Sequence, residues 1–482
     1  MSETRIHCLS RYFLRLTAAA CAVGLFLGQA LSVRASSDAE LALEANRGLP
    51  VQSNEVPNWP AGPAVGAESA ILIEAQTGTI LYAKNIHQRE YPASTTKILT
   101  SVIATERCQM DEIVTFSHDA VFDTPWDSSH IAMDVGQELT MEQCLNAILI
   151  RSANEVSYAV AEHITGTTDW AVFAELMNQR AAELGCLNSH FMNPNGLPDD
   201  DHYTTAYDLA MIGKAFFANE MLCKITLSRR MEFPATDKLP QGKLEINHMQ
   251  IIPGGIYAYE YLVGCKTGYT DAARSCLVSC AEKNGLRLIC VVMRDEAPYQ
   301  YQDTISLFEY GFANFEKVNV SQSETEYNID NTGLFYSGND IFGSSQSFLS
   351  LNRDDFIVLP RTISFQEAES TISYDTGDAE QAAVITYAYH GVELGTVRVS
   401  FSVTQEESAF FDLLSENGED LGDISNEESP VIFINTGIIL IGLGVIAGLA
   451  LIVLLAHIIL KNYNLSFRRP HRHRRRRRRK RK

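Results

Sequence analysis

The sequence predicts an α/β fold: an antiparallel sheet with a helical insert, then a small β-rich domain, then a C-terminal transmembrane helix. Three observations carry this. Strand-like runs stand at both ends of segment 63–315, with helical periodicity between them. From about Glu316 the texture changes to short alternating runs. Gly437 to Leu460 is an apolar run of 24 residues interrupted only by His457. At about 1.5 Å per residue it can cross a hydrocarbon core of roughly 30 Å with some tilt.

Taken in order, residues 1–35 read as a secretory signal. Arg5, Arg11 and Arg15 precede an apolar stretch from Thr17 to Leu27, and Val33-Arg34-Ala35 offers a cleavage site. Residues 36–62 have little periodicity and several Pro, Ser and Glu, so a linker is expected. Ala70-Ile71-Leu72-Ile73-Glu74 and Thr79-Ile80-Leu81-Tyr82-Ala83 flank Gln76-Thr77-Gly78 and predict a hairpin. A helical block is expected from Ser94 to about His163, and a further helix from Asp169 to Leu184 with Gly185 as its cap. Strand texture returns at Lys266 and runs through Ser275–Cys280 and Leu286–Met293. A helix from about Asp303 to Phe315 closes the unit.

Residues 316–404 predict the small β domain, with strands at Phe356–Pro360 and Ala383–Tyr387. A further pair of strands around a turn is expected in Gly391–Val399. Acidic residues 405–430 link it to the span placed at 431–460. The tail, 461–482, holds thirteen Lys and Arg and no acid. The positive-inside rule puts it in the cytoplasm and everything before the span outside. The net charge is −20, so the chain without its tail carries −33. An acidic exterior excludes nucleic acid as the expected partner, and the basic run fits anionic lipid heads instead. Gly444 and Gly448 form a G-x-x-x-G pair through which two spans could dimerise weakly.

Cys108, Cys144, Cys186, Cys223, Cys265, Cys276, Cys280 and Cys290 remain after the signal. They include no C-x-x-C and no zinc-like spacing with His, so buried free thiols are expected and no metal or cofactor is.

Three motifs carry chemistry: Ser94-Thr95-Thr96-Lys97, Ser152-Ala153-Asn154 and Lys266-Thr267-Gly268. Pro92 disfavours helix just before Ser94, while Ile98, Leu99, Val102 and Ile103 carry helical periodicity beyond it. Ser94 is thus expected at a helix N-terminus with Lys97 on the same face. A lysine desolvated there, near a second cation, can act as general base toward a serine nucleophile. Ser152 and Asn154 fall in an inter-helix turn, where the hydroxyl can relay a proton and the amide can hold a substrate carbonyl. Lys266 on an edge strand supplies the second cation, and Thr267 can bond a terminal carboxylate. Gly268 would let the substrate backbone come close. The backbone N–H groups of Ser94 and Tyr269 are the expected oxyanion hole. Each motif alone has an ordinary reading as a cap or a solvated lysine; three in order do not.

The constellation S-x-x-K, S-x-N, K-T-G resembles the low-molecular-mass penicillin-binding proteins, specifically the serine-type D-alanyl-D-alanine carboxypeptidases. Pro92-Ala93-Ser94-Thr95-Thr96-Lys97, Asn193-Pro194-Asn195-Gly196-Leu197 and Lys266-Thr267-Gly268-Tyr269-Thr270 carry the likeness. It implies a β-lactamase/transpeptidase-like domain, a β-rich stand-off domain and membrane attachment. It also implies peptidoglycan stem peptides as substrate and β-lactams as inhibitors, at a bacterial cell membrane. Two departures stand out. Arg274 occupies a position where relatives often have Gly. Gln300-Tyr301-Gln302 stands where some relatives carry a carboxylate-binding Arg, leaving Arg274 or Arg294 as candidates for that contact. The alternatives are a β-lactamase, which would need a deacylating Glu on a loop, and a non-catalytic β-lactam receptor. Glu175 and Glu183 look helical, which disfavours the first of these.

Overall fold

The computed structural model describes residues 39–235, 237, 239–324, 349–376, 378 and 381–401. All belong to one compact unit, Met1–Val403. The expected signal peptide, acidic linker, span and basic tail lie outside the described residues. Among the described residues no helix is long and apolar enough to cross a membrane.

The chain enters through helix α1 (39–47), followed by the hairpin β1 (Ser69–Glu74) and β2 (Ile80–Lys84). The helical insert then holds α2 (Lys97–Arg107), β3 (Ile113–Thr115), α3 (His118–Phe122) and β4 (Glu138–Thr140). Beyond these come α4 (Met141–Ile150), α5 (Asn154–Thr165), α6 (Trp170–Glu183), α7 (Ala206–Ala218) and α8 (Glu220–Leu227). A small hairpin of β5 (Arg230–Phe233) and β6 (Lys243–Ile246) leads to β7 (Leu262–Thr270), β8 (Arg274–Lys283) and β9 (Leu286–Asp295). The main sheet has the order β2-β1-β9-β8-β7, and each adjacent pair is antiparallel. The predicted hairpin and edge strand are therefore both present, and β7 is the edge.

Two apolar clusters sandwich this sheet. Ile71 and Ile73 of β1 face the helical insert, whereas Ala70 and Leu72 face the other cluster with α9 (Tyr299–Asn314). The alternation follows from the two-residue period of a strand. All six residues of β1 are buried, as a central strand covered on both faces requires.

The block expected to be helical from Ser94 to His163 is broken. Ile113-Val114-Thr115, β-branched throughout, pairs with Glu138-Leu139-Thr140. Between them the only helix is the five-residue α3; the rest, around Asp123-Thr124-Pro125, is turn. Of the stretch 36–62, expected to be a linker, the described residues from 39 on pack into the fold. Leu43 and Trp59 are buried, and Trp59 Nε1 donates to Leu81 O at 3.0 Å. Lys84 Nζ donates to three carbonyls, Asn46 O, Val65 O and Ala67 O, at 2.6–2.8 Å. Tyr310 Oη donates to Pro60 O at 2.8 Å. Hydrogen bonds to backbone carbonyls replace the apolar periodicity this segment lacks.

Helix α9 begins at Tyr299, four residues before the expected start, directly after Pro298. The chain then forms β10 (Phe315–Asn319), α10 (Val320–Ser323), β11 (Leu349–Leu351), β12 (Phe356–Pro360), β13 (Glu369–Ser373), β14 (Gln381–Tyr389) and β15 (Val392–Phe401). β10 pairs with β12, and β11-β15-β14-β13 form a second sheet. The strand pair expected within Gly391–Val399 is one strand. Its turn is His390-Gly391, with φ of 46° and 83°, the two-residue geometry that suits a hairpin. Gly395 instead sits at a register shift opposite Tyr387. All eight described cysteines are free thiols, seven of them buried.

Candidate active site

Ser94 lies in a single 3₁₀ turn, Ala93–Thr96, that runs directly into α2. Ala93 is held at φ +48°, a conformation costly for a side chain with a Cβ and worth roughly 1–3 kcal/mol of local strain. The two threonines of the motif hold the turn: Thr95 Oγ1 donates to Pro92 O at 2.7 Å and Thr96 Oγ1 to Ala93 O at 2.8 Å. Behind them His202 Nε2 lies 2.9 Å from Thr96 Oγ1, and His202 Nδ1 accepts from Met192 N–H at 3.2 Å. Since Nδ1 accepts and the Thr96 hydroxyl is already donating, Nε2 carries the hydrogen. Burial holds this imidazole neutral, its pKa lowered to about 4.

Lys97 is fully buried. Its Nζ is 2.7 Å from Asn154 Oδ1, 2.6 Å from Asn195 O and 3.0 Å from Ser94 Oγ. A neutral amine has two hydrogens and one lone pair. The two carbonyl oxygens accept the hydrogens, so the lone pair is left facing the serine hydroxyl. Burial lowers the pKa of Lys97 well below its ordinary value, the charge of Lys266 lowers it further, and Glu155 opposes both.

Asn154 opens α5, and Ser152 stands just before it with φ of 57°. Lys266, also fully buried, donates to Ser152 Oγ at 3.2 Å and to Thr267 O at 2.6 Å. Burial pushes its pKa down to about 7. Thr267 Oγ1 is half-buried and 3.4 Å from His248 Nε2. The structure therefore sets two hydrogen-bonded groups side by side, Ser94 with Lys97 and Asn154, and Ser152 with Lys266 and the Thr267 carbonyl, close enough that the Lys266 charge acts on Lys97.

At Gly268 the structure shows a packing reason that the sequence did not reveal. A Cβ on Gly268 would lie 2.8 Å from Pro92 O and 2.9 Å from both Ser94 N and Thr95 N. The missing side chain makes room for the nucleophile's own turn. The Tyr269 side chain is 56 % exposed and donates to Asp271 Oδ1 at 3.2 Å. Neither candidate cation for a carboxylate is free. Arg274 Nε donates to Glu296 Oε1 at 2.9 Å, and Arg294 pairs with Glu68 at 3.3 Å.

Sequence reasoning gave no role to Asn195, whose backbone carbonyl holds Lys97, or to His202 and His248. It also missed Glu155, buried in the first turn of α5, whose Oε1 accepts from Ile131 N–H at 2.8 Å. The signal for the first was present in the turn-forming run Asn193-Pro194-Asn195-Gly196. Asn193 Oδ1 accepts from Gly196 N–H at 2.7 Å, and Thr100 Oγ1 donates to Pro194 O at 2.6 Å.

The family profile described as D-alanyl-D-alanine carboxypeptidase matches residues 56–297. The chain belongs to that family. Among curated relatives, the D-alanyl-D-alanine carboxypeptidase DacF of Bacillus subtilis (strain 168) is 33 % identical over 257 residues, covering 52 % of this chain and 63 % of that protein. DacB2 of Mycobacterium tuberculosis, of the same description, is 30 % identical over 260 residues, 53 % of this chain and 84 % of the relative. Penicillin-binding protein 5 from Haemophilus influenzae shares the fold, with a TM-score of 0.55 and 24 % identity over 71 % of this chain and 98 % of that structure. The carboxypeptidase family match spans all three motifs and ends just after Asp295, where β9 closes the sheet.

Proposed function

We infer that this chain is a serine-type D-Ala-D-Ala carboxypeptidase that removes the terminal D-alanine of peptidoglycan stem pentapeptides through an acyl-enzyme on Ser94. The observation that carries this reading is the buried Lys97 amine 3.0 Å from Ser94 Oγ, held there by Asn154 Oδ1 and Asn195 O. Lys97 takes the hydroxyl proton as Ser94 attacks the penultimate carbonyl carbon. The backbone N–H groups of Ser94 and Tyr269 stabilise the oxyanion that forms. Ser152, bonded to Lys266, passes a proton to the departing amine of D-alanine. Lys266 and Thr267 receive the terminal carboxylate, and water then releases the shortened peptide. β-Lactams acylate the same serine.

The β-lactamase alternative is disfavoured because Glu175 and Glu183 both lie within α6, which leaves neither on a loop where it could activate water. A receptor without catalysis would not need a buried general base. For location we propose a bacterial cell membrane, with the catalytic domain outside, one span at Gly437–Leu460 and the arginine-rich tail inside. The apolar run and its basic flank support this.

Incubating the purified chain with a synthetic peptide ending in D-Ala-D-Ala tests the activity. Release of D-alanine, lost in Ser94→Ala together with penicillin labelling, is the expected result. Labelling without any release would overturn the enzymatic reading, and preferential hydrolysis of penicillin would favour a β-lactamase.

A further inference from the structure

Helices α2 and α5 both carry site residues at their N-terminal ends: Ser94 and Lys97 lead into α2, and Asn154 opens α5. Their C-terminal ends meet on the other side of the helical insert, about 16 Å along α2 from Lys97. Three donors of different chemistry converge there. Cys108 caps the end of α2, Glu112 sits in the turn leading to β3, and His163 lies in the last turn of α5. One ligand atom from each lies within 4.8 Å of the other two, and His163 Nε2 is 2.8 Å from Glu112 Oε2.

We propose that Cys108, Glu112 and His163 form a three-ligand site for a divalent transition metal, with zinc the best match and water in the fourth position. Tetrahedral zinc with bonds of about 2.0–2.3 Å sets ligand atoms about 3.3–3.6 Å apart, a spacing that small side-chain rotations reach from the observed one. A thiolate with an imidazole and one carboxylate suits zinc and disfavours calcium or magnesium, which take oxygen donors.

The backbone has already fixed the ligands. Gln109 N–H donates to Glu112 Oε1 at 2.6 Å, which turns Oε2 toward His163. Met141 N–H donates to Glu112 O at 2.8 Å, and Cys108 N–H to Ala104 O at 3.1 Å. Gly166, at φ +70°, ends α5 just beyond His163. Cys108 keeps 9 % of its surface, and a groove walled by Thr165, Val172 and Leu176 leads to it. Arg107 lines the same groove, and the two anionic ligands offset its charge. On binding, the Cys108 proton leaves to solvent and the His163 hydrogen moves to Nδ1, freeing Nε2. The ion would tie together the ends of α2 and α5 and the start of β3, so it acts on stability rather than on the reaction.

The test uses the full chain in detergent, stripped with a chelator and titrated with cobalt(II). One equivalent is expected to give a thiolate-to-cobalt charge-transfer band. The band should vanish in Cys108→Ser and need roughly a hundredfold more cobalt in His163→Ala, yet persist in Cys186→Ser. Cobalt taken up by His471 and His473 of the tail gives no thiolate band, so it cannot mimic the site. Zinc should raise the melting temperature of the parent but not of Cys108→Ser, with penicillin acylation unchanged. No band, or a band surviving in Cys108→Ser, overturns the proposal. If Cys108→Ser fails to fold, Glu112→Gln and His163→Ala decide it: a band of parental affinity in both overturns it equally.

Discussion

Gly196 is seated on the carbonyl of Ala93: with φ at +81°, a Cβ there would stand 1.8 Å from Ala93 O and 2.8 Å from Thr96 Oγ1. The loop that presents Asn195 O to Lys97 thus rests directly on the turn that presents Ser94.

Gly196→Ala should therefore damage the site from both sides. The left-handed φ alone costs about 1–3 kcal/mol, and the contact with backbone adds to it. A lower melting temperature and a penicillin acylation rate reduced by roughly tenfold or more are expected. Acylation at the parental rate would mean the loop does not position Lys97.

Changing the base itself gives a sharper loss. Lys97→Arg puts a permanent cation where the site holds a neutral amine and leaves no lone pair to accept a proton, so acylation should fall by about 10²- to 10⁴-fold across the pH range. Rapid-quench labelling with penicillin measures this. An unchanged rate would exclude Lys97 as base and turn attention to Ser152.

The pH profile should expose Lys266. Its ammonium is pushed down to about 7, so the cation that receives a carboxylate is present below that pH and lost above it. For the free enzyme, kcat/KM toward a substrate with a free carboxylate should fall as pH rises beyond about 7. Lys266→Arg stays charged and should move that alkaline limb upward, while weakening capture near neutrality. A substrate amidated at its carboxyl should show no such limb; if it shows the same one, Lys266 is not the cause.

Neither Arg274 nor Arg294 should matter much for substrate capture, since Glu296 and Glu68 already pair with them. Arg274→Ala is expected to leave KM for a D-Ala-D-Ala peptide near the parental value, whereas Lys266→Gln raises it. Steady-state kinetics on the two variants distinguish these roles.

A stability effect is expected far from the serine. Asp303 Oδ2 accepts from the backbone N–H groups of Gly66 and Ala67, and Asp295 Oδ2 is buried with no donor of its own. Burial first, then the Asp303 charge, pushes the Asp295 carboxyl up, so the native state keeps a proton between the two. The unfolded chain loses that proton near pH 4. Stability from this pair is therefore complete in acid and lost as pH rises through the native pKa. Asp295→Asn donates without a titrating proton, so its melting temperature should decline less than the parent's as pH rises from the ordinary carboxylate range up to the raised native pKa. Parallel declines would remove Asp295 as the cause.

How much of this could be read in advance depended on distance along the chain. Ser94 with Lys97, and Ser152 with Asn154, are neighbours whose spacing places them on one turn, so local periodicity revealed them. Asn195 acts through its carbonyl, which every residue possesses, so its type says little. His202 and His248 meet their partners only through the tertiary fold, as does His163 with Glu112, 51 residues apart. The described part of 36–62 shows no repeating pattern for a related reason. Its anchors are carbonyls bound by Lys84 and Tyr310, plus isolated Leu43 and Trp59, and none of these makes a repeating pattern.

The order β2-β1-β9-β8-β7 has a consequence for synthesis. A chain made from its N-terminus completes β1 and β2 while β9, which covers the second edge of β1 from Ser69 to Glu74, does not yet exist. That apolar edge must stay unpaired until the whole helical insert has followed, a state open to aggregation or to capture by chaperones. Lys266 arrives with the same late strands and Ser94 with the early insert, so the site assembles only on closure. Covalent penicillin labelling thus counts finished molecules, and the unlabelled share of newly made chain measures how long closure takes.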